Sequence, residues 1–583
     1  MPYHDRFLPP LPTDFRESIV LCELPDFCVF PQIIGDWIPC LSIMLSMFTK
    51  LRFLSFSKMN EIITVTFLGL GTLAVQADLA RGVVYHDQNR NGQRDQGEPG
   101  VSGVQVSNQL EIFTTDEEGR WELPSDEDVT FFVIKPRDWM TPVNGHQLPR
   151  FFYTHKPAGS PDQSFPGIAP TGPLPSSIDF PLIQAQEPEK FEAVFFGDPQ
   201  PRNVREVEYI GHDVVEELIG TSAKFGVTLG DIVFDDLAVF EPLNATIALI
   251  GIPWYNVIGN HDINYDSAED ADSDETFTRT YGPNYYAFDY GPVHFLVLDN
   301  ILWGGAKPEG SGSYSGGIEQ TQLDFIRNDL ALVSEDKLVV LMMHIPLTNM
   351  ANREDLYRLI EHRPYTFSIS GHTHWQAHQL IRKKDGWMGA EPHHHLINVT
   401  VSGSWWSGLP DEWGVPHTTM RDGAPNGYTI LKFSENRKPE IVFKAARGPE
   451  EFQMSVFAPD SIELGNVKET LVYVNVFNGW DDSVVQVRWN SEGNWQTMDK
   501  SLEKDPNHQA VFDREPETPP SPYNRISAPV DSRHLWKGRL NPDIGVGVHA
   551  LQVRATDVNG KWHRAERIVR VKENAAGATD SQP

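Results

Sequence analysis

Five short apolar runs in this chain each end in a compact polar cluster, and that recurrence limits what the chain can fold into. Residues 193–196 lead into Asp198-Pro199-Gln200, and 226–229 into Gly230-Asp231 with Asp235 four positions on. Residues 255–258 lead into Gly259-Asn260-His261-Asp262, 338–343 into His344, and 366–370 into Gly371-His372-Thr373-His374. Apolar runs of this length, closed by Gly, Asp, Asn or His, read as buried strands that deliver polar side chains to one sheet edge. Five such deliveries predict one site.

The residue types define its chemistry. Carboxylate, amide and imidazole without thiolate form a donor set for hard or borderline divalent ions such as Mn, Fe or Zn. Two dications about 3.5–4 Å apart repel unless an anion bridges them, and Asp231 is the natural bridge.

Taken in order, the clusters resemble the calcineurin-like metallophosphoesterases, in particular a multidomain secreted bacterial type. The family pattern runs D-x-H, G-D-x-x-x-D, G-N-H-D/E, H, G-H-x-H, and the resemblance spans roughly 190–435. It implies an α+β fold with a four-layer αββα sandwich. On this resemblance Asp198, Asp231 and His374 hold one metal, and Asp231, Asn260, His344 and His372 hold the other. His261 takes the role of acid or charge stabiliser beside the leaving oxygen. Gln200 stands where most members carry histidine, and its neutral amide oxygen is a poorer ligand, so the first metal is expected to bind weakly or to be a different ion. Asp235 and Asp262 are expected to orient neighbours rather than bind metal.

The implied reaction is hydrolysis of a phosphate mono- or diester by a hydroxide held on a dinuclear centre, with His261 protonating the departing alkoxide. The alternative is a non-catalytic envelope or glycan-binding protein that keeps a degenerate phosphoesterase fold.

At 583 residues the chain is too long for a single core. A formal net charge of −32 argues against a basic groove for nucleic acid, which leaves a small-molecule or envelope phosphoester as the expected substrate. The three cysteines, Cys22, Cys28 and Cys40, all precede a segment with a basic start at Lys50, Arg52 and Lys58, an apolar stretch over 62–75 and a small-residue stop before Asp78. That arrangement predicts a signal peptide, a secreted or periplasmic protein, and no transmembrane span after cleavage; a retained anchor is the alternative.

The expected organisation is an extension and signal over 1–77, an N-terminal β-sandwich and Pro-rich linker over 78–185, the phosphoesterase domain over 186–435, an immunoglobulin-like sandwich over 436–573, and a disordered tail over 574–583. In the first sandwich Asp87, Asn89, Asn91, Asp95 and Glu98 fit the oxygen spacing of a calcium loop, with a polar hairpin turn as the alternative. Trp405 and Trp406 are candidates for stacking on substrate at the site mouth, with Asn426 close behind. His393-His394-His395 is expected at a surface or strand end, and 505–529 as a long loop.

Overall fold

Each of the five apolar runs forms a strand within two residues of its expected bounds: Phe191–Phe196, Phe225–Leu229, Trp254–Val257, Leu338–Met342 and Thr366–Ser370. They read as continuous apolar runs because the strands pack on both faces, which is the pattern of parallel sheets. In the computed structural model, residues 78–307, 312–539 and 544–574 are described. The expected signal segment, its three cysteines and residues 575–583 lie outside them. No helix among the described residues is long and apolar enough to cross a membrane.

Two mixed sheets carry the site. The first runs in the order Trp254–Val257, Phe225–Leu229, Phe191–Phe196, Gly427–Phe433, Glu440–Ala445, its first three strands parallel. The second runs Tyr286–Tyr290, Val293–Val297, Leu338–Met342, Thr366–Ser370, His393–Ile397, Ala377–Ile381, parallel through its middle and antiparallel at both edges. Side chains alternate across the Phe191–Phe196 strand as the pleat requires. Ala193 and Phe195 enter a core shared with Val227, Val257, Phe295, Val340 and Ile369 of both sheets. Val194 and Phe196 face Val207, Ile210 and Leu243, which come from helices on the other side. The expected helix over 206–219 is Val204–Ile210, a π segment Gly211–Val215 and a last turn Glu216–Leu218.

The N-terminal region holds two four-stranded sheets around Val84, Val106, Trp121, Phe131, Val133 and Phe180. The supposed linker is in part structural, since Phe180–Gln184 pairs in parallel with Asp78–His86. The C-terminal region pairs a four-stranded with a five-stranded sheet around Val474, Val487, Trp536, Leu551 and Val569. The stretch expected as a loop from 505 opens instead with the helix Pro506–Arg514. Asp505 accepts from the backbone N–H groups of Asn507 (2.6 Å) and His508 (3.3 Å), and proline occupies the start, both standard helix-initiation signals.

The histidine run is a second departure. His393–Ile397 is an interior strand, and its histidines bond to a serine ladder: Ser368 Oγ lies 2.7 Å from His393 Nε2 and 2.8 Å from His395 Nδ1, and Ser370 Oγ 3.1 Å from His395 Nε2. Burial pushes the pKa of His393 and His395 down to about 3, so they are neutral core groups.

His294, on the Val293–Val297 strand, is the opposite case. Its Nδ1 lies 2.8 Å from Asp289 Oδ1 and its Nε2 2.8 Å from Asp329 Oδ2. Burial opposes its charge, yet Asp329 and Asp289 together push the imidazole pKa up to about 9. A group raised in the folded state stabilises fully below its unfolded pKa of about 6.5, and that contribution is lost as pH rises through the folded value. The unfolding free energy from urea titration should therefore fall between pH 6.5 and 9.5 by on the order of a few kcal/mol, and His294→Gln should flatten the fall. Equal slopes in the two proteins would rule out His294 as the cause.

Candidate metal centre

The polar clusters follow the C-terminal ends of five parallel-running strands drawn from both sheets, and there they converge. His344 Nδ1 donates to the carbonyl of Leu229 at 2.8 Å, which leaves Nε2 to face the site. Nε2 lies 3.2 Å from Asp231 Oδ1, 3.1 Å from Asn260 Oδ1 and 3.1 Å from His372 Nδ1. Asp231, Asn260 and His344 are almost wholly buried. Two imidazole nitrogens, a carboxylate oxygen and an amide oxygen are electron-pair donors crowded onto one point, and a divalent ion satisfies all four. Among the described residues, Asp231, His344 and His372 form the cluster of titratable side chains close enough to share an ion.

The second group lies alongside. His374 Nε2 is 3.7 Å from Asp198 Oδ1, and His374 Nδ1 donates to the Gly403 carbonyl at 2.6 Å, which fixes its ring. Asp198 accepts the His372 backbone N–H on both oxygens, at 3.0 and 2.9 Å. Gln200 donates from Nε2 to Asp231 Oδ2 at 2.6 Å, and its Oε1 is buried with no partner. That orphaned oxygen is the atom Gln200 has to offer a cation. The donors of both groups fit a pair of hard or borderline divalent ions.

Electrostatics support the same reading. Burial, with His344 beside it, pushes His372 down to about 4, and burial pushes His374 down to about 3, so both rings hold free lone pairs at pH 7; against burial, His344 is raised to about 9 by Asp231, so a cation at its Nε2 would take the place of a proton. Burial raises Asp198 to about 7, with Asp231 adding to the rise, while the histidines around Asp231 keep its own pKa low against burial. Buried carboxylates this close repel one another, and bound cations relieve that repulsion.

Local backbone geometry serves the approach. Asp198, Gln200, Asp231, Asp235, His372 and His374 all sit at positive φ, the kind of strain that gathers at functional sites. Two glycines mark where chains come closest. A Cβ on Gly371 would meet Asp198 Oδ2 at 2.4 Å, and one on Gly259 would meet the Asp231 nitrogen at 2.0 Å.

His261 stands beside this cluster. Its backbone N–H donates to Asp231 Oδ1 at 3.0 Å, its Nδ1 lies 2.6 Å from Asp235 Oδ1, and its ring stacks on Phe234 with centroids 4.4 Å apart. Burial opposes its charge, but Asp231 and then Asp235 raise its pKa. Asp262 accepts backbone N–H bonds from Ile232 (3.1 Å), Val233 (3.1 Å) and Gly259 (2.8 Å), pinning the Asp231 loop to the His261 loop.

The remaining candidates separate. Trp405 stacks on His374, with centroids 4.0 Å apart. Trp406 is buried against Tyr209 and donates from Nε1 to the Pro199 carbonyl at 2.8 Å, so it packs the core and has no face for substrate. Asn426 is buried and donates 3.0 Å bonds to Asp213 Oδ2 and the Val401 carbonyl, so it ties loops together. In the N-terminal loop, Asn89 and Asn91 donate to Asp95 Oδ2 at 2.7 and 2.8 Å, and Asp87 and Glu98 accept backbone N–H groups. Several supporting residues escaped the sequence reading. Phe234 backs His261, and buried Asn300 accepts the Ile345 N–H at 3.0 Å while donating to its carbonyl at 2.7 Å, fixing the turn after His344. The apolar ring beside Asp235 was a signal for the first; Asn300 carried none.

Three family models match in succession: the N terminal of Calcineurin-like phosphoesterase over 88–166, Calcineurin-like phosphoesterase over 193–376, and the C terminal of Calcineurin-like phosphoesterase over 395–563. The chain belongs to the calcineurin-like phosphoesterases, metal-dependent hydrolases of phosphoric esters. No curated protein matches it. Among solved structures it is similar to the purple acid phosphatase PPD1 of yellow lupin (Lupinus luteus), at 12% identity and TM-score 0.31, covering 72% of this chain and 68% of that one. A likeness to the spore cortex lytic enzyme SleM of Clostridium perfringens, at 12% identity and TM-score 0.13, covers 66% of this chain and 100% of that one. The family assignment rests on the three models.

Proposed function

We propose that this protein hydrolyses a phosphate mono- or diester at a dinuclear centre. Asp198, Gln200, Asp231 and His374 would hold one ion of Mn, Fe or Zn, and Asp231, Asn260, His344 and His372 the other. The observation that carries the reading is the meeting of Asp231 Oδ1, Asn260 Oδ1 and His372 Nδ1 around His344 Nε2. When bound, the ions supply a water acidified to a pKa of about 7 and positive charge against the phosphoryl oxygens. The chain's own residues do the rest. Asp231 joins the two halves, the Gly403 and Leu229 carbonyls fix the tautomers of His374 and His344, and Asp235 with Phe234 holds the His261 ring so that Nε2 can give a proton to the leaving oxygen.

On this reading the two central sheets and their helices form a four-layer αββα sandwich, flanked by two immunoglobulin-like sandwiches. The protein is exported, and a mature N-terminus near Asp78 by terminal sequencing of secreted material would support that.

Protein reconstituted separately with Mn, Fe and Zn, and an EDTA-treated control, should be compared on p-nitrophenyl phosphate and bis(p-nitrophenyl) phosphate. Metal-stimulated hydrolysis at least about a hundredfold over the control is expected. No stimulation with any ion on either ester would favour the non-catalytic binding protein.

The N-terminal loop is a proposed calcium site. Amide oxygen and nitrogen are interchangeable by a flip, so Asn89 and Asn91 can turn oxygens inward beside Asp87, Asp95 and Glu98. Millimolar Ca²⁺ added to the Mn-loaded protein should raise Tm by a few degrees, and Asp87→Ala should abolish the rise. An unchanged Tm would leave the loop a plain hairpin turn.

A further inference from the structure

Arg421, beside the metal centre, has no acidic partner among the described residues. Arg421 is half-buried, and its guanidinium lies 5.9 Å from the ring of Trp405, the tryptophan stacked on His374. Its backbone N–H donates to the His374 carbonyl at 3.2 Å, so this residue is tied to the ligand loop itself. Arg421 Nε is buried with no hydrogen-bond partner, and its other nitrogens make no hydrogen bond among the described residues. Burial lowers its pKa with no carboxylate opposing that effect. Arg533, which is exposed, lies 3.7 Å above the ring of Trp375, the residue that follows His374; it makes no side-chain hydrogen bond or salt bridge among the described residues, although Asp422 and Asp531 lie near enough to favour its charge.

Arg533 belongs to the Asp531–Arg539 strand of the C-terminal region, which reaches the ligand loop through definite bonds. Val530 N–H donates to the Arg421 carbonyl at 2.9 Å, and His534 Nε2 lies 2.9 Å from Asp422 Oδ2. Asp422 is the acid nearest in sequence to Arg421, but it also accepts the Gln376 N–H at 2.7 Å and the Ala424 N–H at 3.1 Å, and so is engaged elsewhere. A half-buried guanidinium without a counter-ion costs desolvation energy that nothing within the protein returns. A planar donor of this kind beside a phosphate-handling centre is matched to a second anion, bound in bidentate fashion.

We propose that Arg421, aided by the charge of Arg533 of the C-terminal region, binds a second anionic group on the substrate, so that the preferred substrates are phosphoesters carrying a further phosphate or carboxylate on the alcohol portion. This rests on the phosphoesterase reading above and narrows it. The C-terminal region thereby takes part in substrate selection.

The test compares phenyl phosphate with benzene-1,4-diyl bisphosphate, which share an aryl leaving group and differ in the second anion, using metal-loaded protein. A charge-assisted pair predicts that kcat/KM for the bisphosphate exceeds that for phenyl phosphate by about tenfold or more, mainly through KM. Arg421→Gln should cut that preference about fivefold or more and Arg533→Gln by less, with Arg421→Lys regaining part, since a point charge replaces the fork. Thermal unfolding of each variant checks its fold. Equal efficiency on both esters, or a preference that survives both glutamine substitutions, overturns the second-anion site and leaves the phosphoesterase reading intact. Hydrolysis of neither monoester overturns the second-anion proposal, and if bis(p-nitrophenyl) phosphate is untouched as well, the phosphoesterase reading falls with it.

Discussion

Asp231→Ala is expected to empty the centre and abolish hydrolysis of p-nitrophenyl phosphate together, a loss of about 10⁴-fold or more. Among the described residues, Asp231 is the side chain whose two oxygens meet both ligand groups. Oδ1 faces His344 Nε2 at 3.2 Å and accepts the His261 N–H at 3.0 Å, while Oδ2 accepts from Gln200 at 2.6 Å. Alanine removes the bridging charge and releases the loop that carries His261. Asp231→Asn separates these effects, because it keeps shape and acceptor capacity but lacks the charge that holds two dications together. Metal analysis should give at most one ion per Asp231→Asn chain and activity close to that of the alanine variant. Two tightly held ions in either variant would show that Asp231 is not the bridge.

The second large effect is that of His261→Ala, which should leave the metals in place and slow turnover by about 10²–10³-fold on an alkyl phosphate. The loss should depend on the leaving group. An alkoxide must be protonated as it departs, whereas p-nitrophenolate leaves without help, so the same variant should be far less impaired on p-nitrophenyl phosphate. His261 reaches the bridge through its backbone and presents its ring from the side, between Phe234 and Asp235, which is the placement of a proton donor rather than a ligand. Asp235→Asn should give a milder version, about tenfold, by loosening the ring. Equal losses on both esters would mean that His261 acts on charge in general rather than on the leaving oxygen.

The pattern of runs and clusters was enough to place the strands and to name the ligand types. A strand buried on both faces writes itself as a continuous apolar run, and a strand end that serves a site breaks that run with glycine and a polar side chain. Both signals are local, so the strand of every cluster could be read off, and with it the polar clusters that hold Asp198, Asp231, Asn260, His344, His372 and His374, whose roles as ligands are what the family resemblance implies. The Asp505-Pro506 start of the Pro506–Arg514 helix was equally local and was hidden only by the prolines beyond it.

Other features were decided by residues far away in the chain. Trp405 and Trp406 are adjacent and chemically identical, yet one stacks on His374 and the other packs on Tyr209, because Trp406 reaches the carbonyl of Pro199 more than two hundred positions earlier. Three successive histidines look polar until Ser368 and Ser370 of the neighbouring strand accept His393 and His395 into the interior, while His394 meets His378. Arg421 and Arg533 are unremarkable arginines in sequence, and only the tertiary structure sets one near Trp405 and the other over Trp375. The sequence by itself determined which atoms could bind a cation, because donor type and strand pattern are properties of short segments. Tertiary structure decided which side chains surround those atoms, because burial, stacking and the absence of a counter-ion depend on segments that meet only when the chain has folded.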